Sequence, residues 1–367
     1  MRRLSFLVLM LITVMGACSP SQQDNLQAPN INPSHLSELP FSPVTDDWPH
    51  SISDLPPDPR VKFGRLDNGF RYAILPVADD TGTVSIQLNV SAGFKDEDET
   101  LFGIAHLLEH MAFRGAEGNT EKSIIHDLQI QGAGFGFDLN GFTTYDQTIY
   151  QLNLVSTKSG NIRTALQSFS NLIMAPNLSP ENLDIERKVV LAELMSRDSS
   201  QARARLDRDK FKYPDQRRYD IAGIGTLESL STITLDDVKA FYCRYYRPDN
   251  TFLAIAGGID LLKTEKAVAT LFSDWPRESE QPVVNLTPVD LNSFPNVKHY
   301  AEKDTKTRLD FIENSTSTLK NDTLQNRQIE FAEKLANAMI ENRLNSRMDD
   351  ERTVSYTHLT LPTILLV

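Results

Sequence analysis

One short stretch, His106-Leu-Leu-Glu-His110, constrains this chain of 367 residues more than any other part of it. No proline or glycine interrupts residues 104–113, and Ala, Leu and Met are strong helix formers, so we predict one helix there. Residues four apart lie on one face of a helix, so His106 and His110 project side by side with Glu109 next to both. The flanking residues predict that this helix is buried: they are Ile104, Leu107, Leu108, Met111 and Phe113. Burying three ionisable groups is costly unless something compensates for them, and a metal ion would.

Two imidazoles beside a carboxylate suit a zinc site. Neutral imidazole nitrogens are common zinc ligands, and a catalytic zinc site has three protein ligands and leaves its fourth position to water. Glu109 is the natural general base, because zinc makes water more acidic and a neighbouring carboxylate can take the proton. A solvated helix face is the simpler alternative, since a short motif is a hypothesis until its structural context fits.

The composition argues against nucleic acid as a partner. The formal net charge is −12, and no basic patch of the kind that phosphate binding needs stands out. Hydrophobic residues make up 40% and charged residues 23% of the chain, as in ordinary globular proteins. The length allows two or three domains.

The first 18 residues are typical of an export signal. Two arginines precede an apolar run, residues 4–15, that is too short for a good membrane-spanning helix. Met15-Gly-Ala-Cys18 resembles the bacterial lipobox and predicts that Cys18 carries a lipid anchor, with Ser19 favouring the outer membrane. An ordinary signal with an incidental cysteine is the alternative. A lipid anchor would hold the protein at the membrane without spanning it.

The rest of the chain divides by composition and pattern. We predict a flexible tether at 19–57, a folded domain that contains the motif at 58–276, a linker at 277–290, a segment with strands and a long helix at 291–353, and an atypical tail at 354–367 that is foreign or a terminal strand. With Cys18 modified, only Cys243 remains, so no intrachain disulfide is expected. We predict Cys243 to be a small buried residue of a helix.

The spacing of apolar residues and the positions of turn-forming residues predict the helices and strands of these domains. The predicted strands are a hairpin in 61–76, a strand at 84–90, one or two strands in 142–152, a strand at 251–257 and further strands in 294–314. The predicted helices are 123–131, 161–175, a long helix after Ser179, 235–246, 261–272 and 323–348.

The long helix after Ser179 carries two further acidic residues. Glu186 and Glu193 are seven residues apart and therefore share one helix face. Their apolar neighbours predict burial: Val189, Val190, Leu191 and Leu194. Glu193, 83 residues beyond His110, is our candidate for the third zinc ligand. Judged from the residues alone, a salt bridge to a nearby arginine is the simpler interpretation.

Several motifs in order resemble the pitrilysin/insulinase family of zinc peptidases, in particular its bacterial periplasmic members. The resemblance covers residues 61 to about 276. Its motifs are the inverted His-Leu-Leu-Glu-His, Glu186-Arg-Lys-Val-Val-Leu-Ala-Glu193, Leu66-Asp-Asn-Gly-Phe-Arg-Tyr72, Gly225-Thr-Leu-Glu-Ser-Leu230 and Phe241-Tyr-Cys-Arg-Tyr-Tyr-Arg-Pro-Asp-Asn250.

The resemblance implies both a fold and a site. The implied fold is an α+β metallopeptidase unit with a mainly antiparallel sheet packed by helices, followed by the start of a second similar unit. The implied roles are zinc ligands at His106, His110 and Glu193, activation of water by Glu109, support of the ligands by Glu186 and binding of substrate backbone by Asn140. One Zn²⁺ per catalytic domain is implied, with a peptide substrate and a second family-type half, in the same chain or in a partner.

These implications predict an exported zinc metallopeptidase that hydrolyses peptides or small unfolded proteins on the periplasmic side of the bacterial envelope. The alternative is a non-catalytic family module that binds peptide or acts as an assembly partner. A purely structural zinc site would need a fourth protein ligand, and none is obvious beside the motif.

Overall fold

The computed structural model describes residues 48–78, 82–115, 128, 133–134, 136, 138–154, 161–212, 223–276, 297–304 and 322–348. The chain forms two compact units, Met1–Ser51 and Ile52–Val367. A short 3-10 helix, Pro49–Ile52, begins in the described part of the first unit. None of the helices in the described ranges combines the length and apolarity needed to cross a membrane.

A six-stranded sheet forms the centre of the second unit. Its strands are β1 (Lys62–Arg65), β2 (Arg71–Pro76), β3 (Val84–Val90), β4 (Leu139–Thr143), β5 (Thr148–Leu154) and β6 (Thr251–Gly257), in the order β1-β2-β6-β3-β5-β4. Every neighbouring pair is antiparallel except β2 and β6, which run parallel. The mainly antiparallel sheet implied by the family resemblance is thus confirmed.

Alternation along the strands gives the sheet one buried face. In β3, β5 and β6 every second residue is buried and the residues between them are exposed or half-buried. Because side chains of a strand point alternately to opposite faces, this pattern places one row of each strand in the core. The sheet therefore presents one face on which helices can pack.

Besides two more short 3-10 helices, Phe94–Asp96 and Pro248–Asn250, the structure gives bounds for eight α-helices. They are α1 (Ile104–Ala112), α2 (Asn161–Met174), α3 (Pro180–Arg197), α4 (Ser200–Lys212), α5 (Leu227–Thr232), α6 (Leu235–Tyr245), α7 (Leu261–Phe272) and α8 (Leu324–Met348). Helix α1 packs against α3, α6 and β4, while α7 packs against α2 and β2. The start of α3 is as predicted, since Ser179 accepts a hydrogen bond from the Asn182 N–H and Pro180 is the first helical residue.

Most element predictions within the described residues are confirmed. The hairpin of β1 and β2 is present, and region 142–152 forms two strands, with the first beginning at Leu139. Residues 297–304 contain no strand, and the remainder of the region 294–314 lies outside the described residues. So do residues 1–18, most of the tether and of the helix predicted at 123–131, the linker 277–290 and the tail 354–367.

Two burial predictions were wrong. Cys243 is exposed, because the buried residues of α6 are Val238, Phe241 and Tyr245, and a residue two positions after Phe241 faces away from them. Val189 is also exposed, since α3 buries Leu183, Glu186 and Val190 along a stripe beside it.

The entry of the chain into α1 depends on a glycine. Gly103 precedes the helix with φ +94, a left-handed conformation that other residues rarely adopt. A Cβ at this position would lie 2.6 Å from the carbonyl oxygen of Ile224 and 2.9 Å from the Cα of Gly225. Helix α1 can therefore begin here only with a residue that has no side chain.

We expect Gly103→Ala to lower the free energy of unfolding by more than the matched substitution Gly136→Ala. Both glycines have a positive φ, which costs about 1–2 kcal/mol for an alanine. Only the Cβ at position 103 meets backbone atoms, and this crowding adds about 1–3 kcal/mol. Urea denaturation of the two variants measures the difference, and equal losses would contradict this account of the helix start.

Candidate metal centre

Helix α1 brings the two histidines and Glu109 together as the spacing predicts. His106 and Glu109 are buried and His110 is half-buried. The two imidazole rings have centroids 4.7 Å apart and planes inclined by 76°. One potential ligand atom from each of the three side chains lies within 4.8 Å of the other two. The turn of helix between positions 106 and 110 therefore presents a compact set of nitrogen and oxygen donors.

Glu193 of α3 reaches the same point. Its Oε2 lies 3.7 Å from Nε2 of His106 and 3.5 Å from Nε2 of His110. Both distances are too long for ordinary hydrogen bonds. They are close to the roughly 3.4 Å that separates two ligands of one tetrahedral zinc ion with Zn–N and Zn–O bonds of usual length. The two distances from Glu193 therefore suit a metal ion shared by this carboxylate and the two imidazoles.

Glu186 supports His110 from the opposite side of the ring. Its Oε2 lies 3.0 Å from Nδ1 of His110, and its Oε1 accepts a hydrogen bond from Nε of Arg114. A hydrogen bond from Nδ1 leaves the lone pair of Nε2 directed at Glu193, which is how carboxylates orient metal-binding histidines. Burial disfavours the charged form of Glu186, but hydrogen bonds from His110 and Arg114 outweigh it and lower its pKa.

Glu109 lies beside the converging donors in a nearly dry environment. Burial raises the pKa of Glu109 to about 7, against an opposing hydrogen bond from Thr143. That bond runs from the Thr143 hydroxyl to Oε2 of Glu109 over 2.8 Å. A carboxyl group with a pKa near neutrality can accept and return a proton at physiological pH, as general acid–base catalysis requires.

The two imidazoles differ in their electrostatic environment. Burial, followed by the neighbouring His110 and Arg197, lowers the pKa of His106 to about 3, so this ring is neutral. Burial also disfavours charge on His110, but the hydrogen bond to Glu186 and three nearby carboxylates outweigh it and raise its pKa. A metal ion at Nε2 competes with a proton for that lone pair, so metal binding at His110 is coupled to proton release.

A cavity of about 560 Å³ opens over these side chains. Its lining includes all of the residues described above together with the edge strand β4, from which Asn140, Gly141 and Phe142 contribute. Gly141 faces Glu109 so closely that a Cβ would lie 2.8 Å from its Oε1. Asn140 accepts a hydrogen bond at Oδ1 from the Gly141 N–H. The size is typical of a site for a small ligand or a short peptide segment.

The structure thus brings six of the seven residues singled out in the sequence to one cavity, and Cys18 lies outside the described residues. Sequence reasoning missed Thr143 and Arg114. Thr143 belongs to a strand whose edge position only the sheet order reveals. Arg114 lies two residues after the end of α1, so the sequence could have predicted that it is near the site. The sequence could not have predicted that it pairs with Glu186.

Sequence comparisons connect this site with known peptidases. A family model described as insulinase (peptidase family M16) matches residues 73–214, and one described as the peptidase M16 inactive domain matches residues 232–352. A probable zinc protease, PqqL of Escherichia coli (strain K12), is 32% identical over 206 residues, which are 56% of this chain and 22% of that protein. Its namesake in Haemophilus influenzae is 31% identical over 300 residues, which are 80% of this chain and 32% of that protein. The chain thus spans about a fifth to a third of the length of these curated relatives.

Comparison with solved structures also finds peptidases similar to this chain. The periplasmic protease PqqL from Escherichia coli aligns with 64% of this chain and 26% of its own, with a TM-score of 0.59 and 30% identity. The ferredoxin protease FusC, solved with Arabidopsis ferredoxin, aligns with 62% of this chain and 25% of its own, with a TM-score of 0.58 and 29% identity. Pitrilysin shares the fold, with a TM-score of 0.53 at 24% identity over 62% of this chain and 24% of its own.

We expect the chain to bind one Zn²⁺ ion and to unfold at a higher temperature with it. A ligand at 100 times its dissociation constant stabilises a folded protein by about 2.7 kcal/mol. Thermal unfolding with and without zinc should show this stabilisation in the wild type and in His299→Ala, which changes an exposed histidine far along the chain. His110→Ala should lose it, because the ring nitrogen facing Glu193 is removed. A full zinc effect in His110→Ala would contradict the assigned donor set.

Proposed function

The chain belongs to the insulinase family of peptidases, family M16, and on that basis we propose that it is a zinc-dependent metallopeptidase. One observation carries the proposal: Oε2 of Glu193 lies 3.7 Å from Nε2 of His106 and 3.5 Å from Nε2 of His110, distances that suit ligands of one zinc ion. The names of the relatives support the choice of metal, since they are described as probable zinc proteases.

In this proposal His106, His110 and Glu193 hold zinc, and Glu186 orients His110. When bound, zinc supplies a Lewis acid that makes water more acidic and polarises the carbonyl of the peptide bond. Three protein ligands are the usual number at a catalytic zinc site, which would also bind water. A structural zinc site would instead be closed by a fourth protein ligand.

Glu109 acts as the general base and then as the general acid. Its carboxylate takes a proton from the attacking water and later delivers it to the nitrogen of the leaving amine. The Thr143 hydroxyl donates a hydrogen bond to Oε2 of Glu109. The other oxygen, Oε1, is then the one that accepts and donates the proton. Glu109 itself is buried, and the low local polarity strengthens its electrostatic interactions.

We assign Asn140 and strand β4 to the binding of substrate backbone. Support comes from the position of β4 as the outer strand of the described sheet and from its place in the lining of the cavity. An extended peptide beside such a strand gains backbone hydrogen bonds that do not depend on its sequence. The proposed substrates are therefore peptides or small unfolded proteins whose chain can become extended.

We further propose that the active enzyme includes a second family-type half, in the same chain or in a partner. The match of residues 232–352 to the M16 inactive domain supports the start of a second unit after the catalytic one. A solved structure of the first half of PqqL, which aligns with 64% of this chain, supports a division into halves in that relative.

The test of the mechanism is Glu109→Gln. We expect this variant to bind zinc as the wild type does, because Glu109 is not among the three proposed ligands. We expect peptide cleavage to fall by about 100-fold or more, the usual contribution of a general base. A quenched fluorescent peptide library measures cleavage, and zinc analysis of the same samples measures the metal. Addition of a chelator to the wild type should also abolish cleavage.

The control for that test is Glu99→Gln, which removes an exposed carboxylate ten residues before Glu109. It should cleave at the wild-type rate. Full activity in Glu109→Gln with bound zinc would refute the mechanism. A wild-type chain that binds zinc and peptides without cleaving them, even when the second family-type half is supplied, would favour the non-catalytic binding module instead.

We also propose that the protein is exported and held at the outer membrane by lipid on Cys18. Export is supported by the description of the similar protein PqqL from Escherichia coli as a periplasmic protease. The anchor itself has support only from the lipobox-like Met15-Gly-Ala-Cys18 and from Ser19.

Metabolic labelling of the producing bacterium with a fatty acid tests the anchor. The wild type and Cys243→Ala should carry the label, and Cys18→Ala should not. Cys243 is a suitable control because it is the second cysteine of the chain and is exposed. An unlabelled wild type would leave an ordinary cleaved signal as the explanation of the leader.

A further inference from the structure

The first turn of helix α1 has no capping side chain of its own. The first N–H groups of a helix lack partners within it, and a Ser, Thr, Asp or Asn at the N-cap usually accepts from one of them. Here the N-cap is Gly103, and no side-chain cap bond is formed. Because a Cβ at Gly103 would collide with the Ile224 carbonyl, an ordinary capping residue does not fit.

The side chain of Glu97 caps the helix instead, although it lies six residues before Gly103 and eight before Ala105. Its Oε2 accepts a hydrogen bond from the Gly103 N–H and its Oε1 accepts one from the Ala105 N–H, both 3.0 Å long. The carboxylate is 1% exposed. Two backbone donors and the positive end of the helix dipole compensate a buried negative charge. Glu97 thus holds the backbone on both sides of the first helical residue.

The loop that carries Glu97 is itself fixed. The side chain of Asp96 accepts a hydrogen bond from the Gly93 N–H, and the Tyr245 hydroxyl donates to the Asp96 carbonyl. On the other side of the helix start, the Ser229 hydroxyl donates to the Phe102 carbonyl over 2.7 Å. The carboxylate is therefore a rigid support rather than a mobile surface group.

The two histidines of the site depend on this support to different degrees. His110 is held by Glu186 at Nδ1. Nδ1 of His106 is buried and has no hydrogen-bond partner among the described residues. His106 is also the third residue of α1, one position beyond the Ala105 N–H that Glu97 binds. The place of its ring is therefore set by the backbone of the first turn.

We propose that Glu97 is a positioning residue of the metal site, which acts by fixing the first turn of α1 and thereby the distance of His106 from His110 and Glu193. The inference rests on the proposed zinc site. It adds a residue that is not among the proposed ligands and that lies outside the cavity lining.

The experiment compares Glu97→Gln with Glu99→Gln in the whole chain. Glutamine has nearly the same shape, but its NH₂ group cannot accept the second N–H, and its charge is lost. We expect the zinc dissociation constant, measured by competition with a chelator, to rise about 10- to 100-fold, the range found for groups that orient metal ligands. Glu99→Gln should leave it unchanged, because that side chain is exposed.

A double-mutant cycle separates positioning from general destabilisation. If Glu97 acts through His106, then adding Glu97→Gln to His106→Ala should not weaken the residual metal binding further. The visible spectrum of bound Co²⁺, which reports ligand number and geometry, should change in Glu97→Gln and stay wild-type in Glu99→Gln. An equal loss of affinity in both backgrounds would overturn the proposal.

A milder variant covers the case in which Glu97→Gln does not fold. Glu97→Asp keeps the charge but withdraws the carboxylate by one methylene, and it should raise the zinc dissociation constant by a smaller factor than glutamine. An unchanged constant in a folded Glu97 variant would refute the positioning role alone. Absence of zinc binding in the wild type would instead refute the proposed function.

Discussion

Helix α1 buries the imidazole of His106 and the carboxylate of Glu109, and half-buries His110, in the same turns that place Leu107, Leu108 and Met111 in the core. Burying an ionisable group in such a setting costs several kcal/mol of folding free energy unless the group has a polar or charged partner. The partners come from other elements: Thr143 from the edge strand, and Glu186 and Glu193 from α3. The packing of α1 against β4 and α3 is therefore as much an electrostatic requirement as a hydrophobic one.

The two carboxylates of α3 show how position along one helix face separates roles. Glu186 is 3% exposed and is engaged by both His110 and Arg114. Glu193, two turns further on, is half-buried, turns one oxygen toward both Nε2 atoms, and pairs through the other with Arg197. In the proposed metal site the deeper group would orient His110, whereas the shallower one has an oxygen available for the cation.

Local features of this site follow from sequence patterns, and long-range features do not. Two histidines at i and i+4 must share a face, and Ser179-Pro180 must begin a helix, because both depend on a few neighbouring residues. The choice for Glu193 between a salt bridge and a metal could not be made from the sequence. The structure contains the pair with Arg197 and also the approach to both imidazoles, so the two interpretations do not exclude each other.

The wrong burial prediction for Cys243 and the missed role of Glu97 have the same cause, since both depend on contacts between residues distant in the sequence. Cys243 was predicted to be buried because it lies in a helical pattern and a free cysteine is usually a small buried residue, but the packing of α6 places Phe241 and Tyr245 inward instead. Glu97 gave no capping signal, since it lies outside the usual three-residue spacing between a cap and the N–H that it binds. Its role appears only when Gly103, with no room for a side chain, is seen against Ile224.

Strand β4 links the place where a peptide would lie with the proposed base. Alternate residues of this strand point to opposite faces, so Gly141 and Thr143 share the face toward α1. Gly141 leaves space for the Glu109 carboxylate, and Thr143 binds it. A shift of β4 along its own axis would therefore move the hydrogen-bond donor of Glu109 together with the edge that lines the cavity. In the proposed enzyme, the strand assigned to the substrate backbone would therefore also set the position of the general base, and both positions matter for the rate.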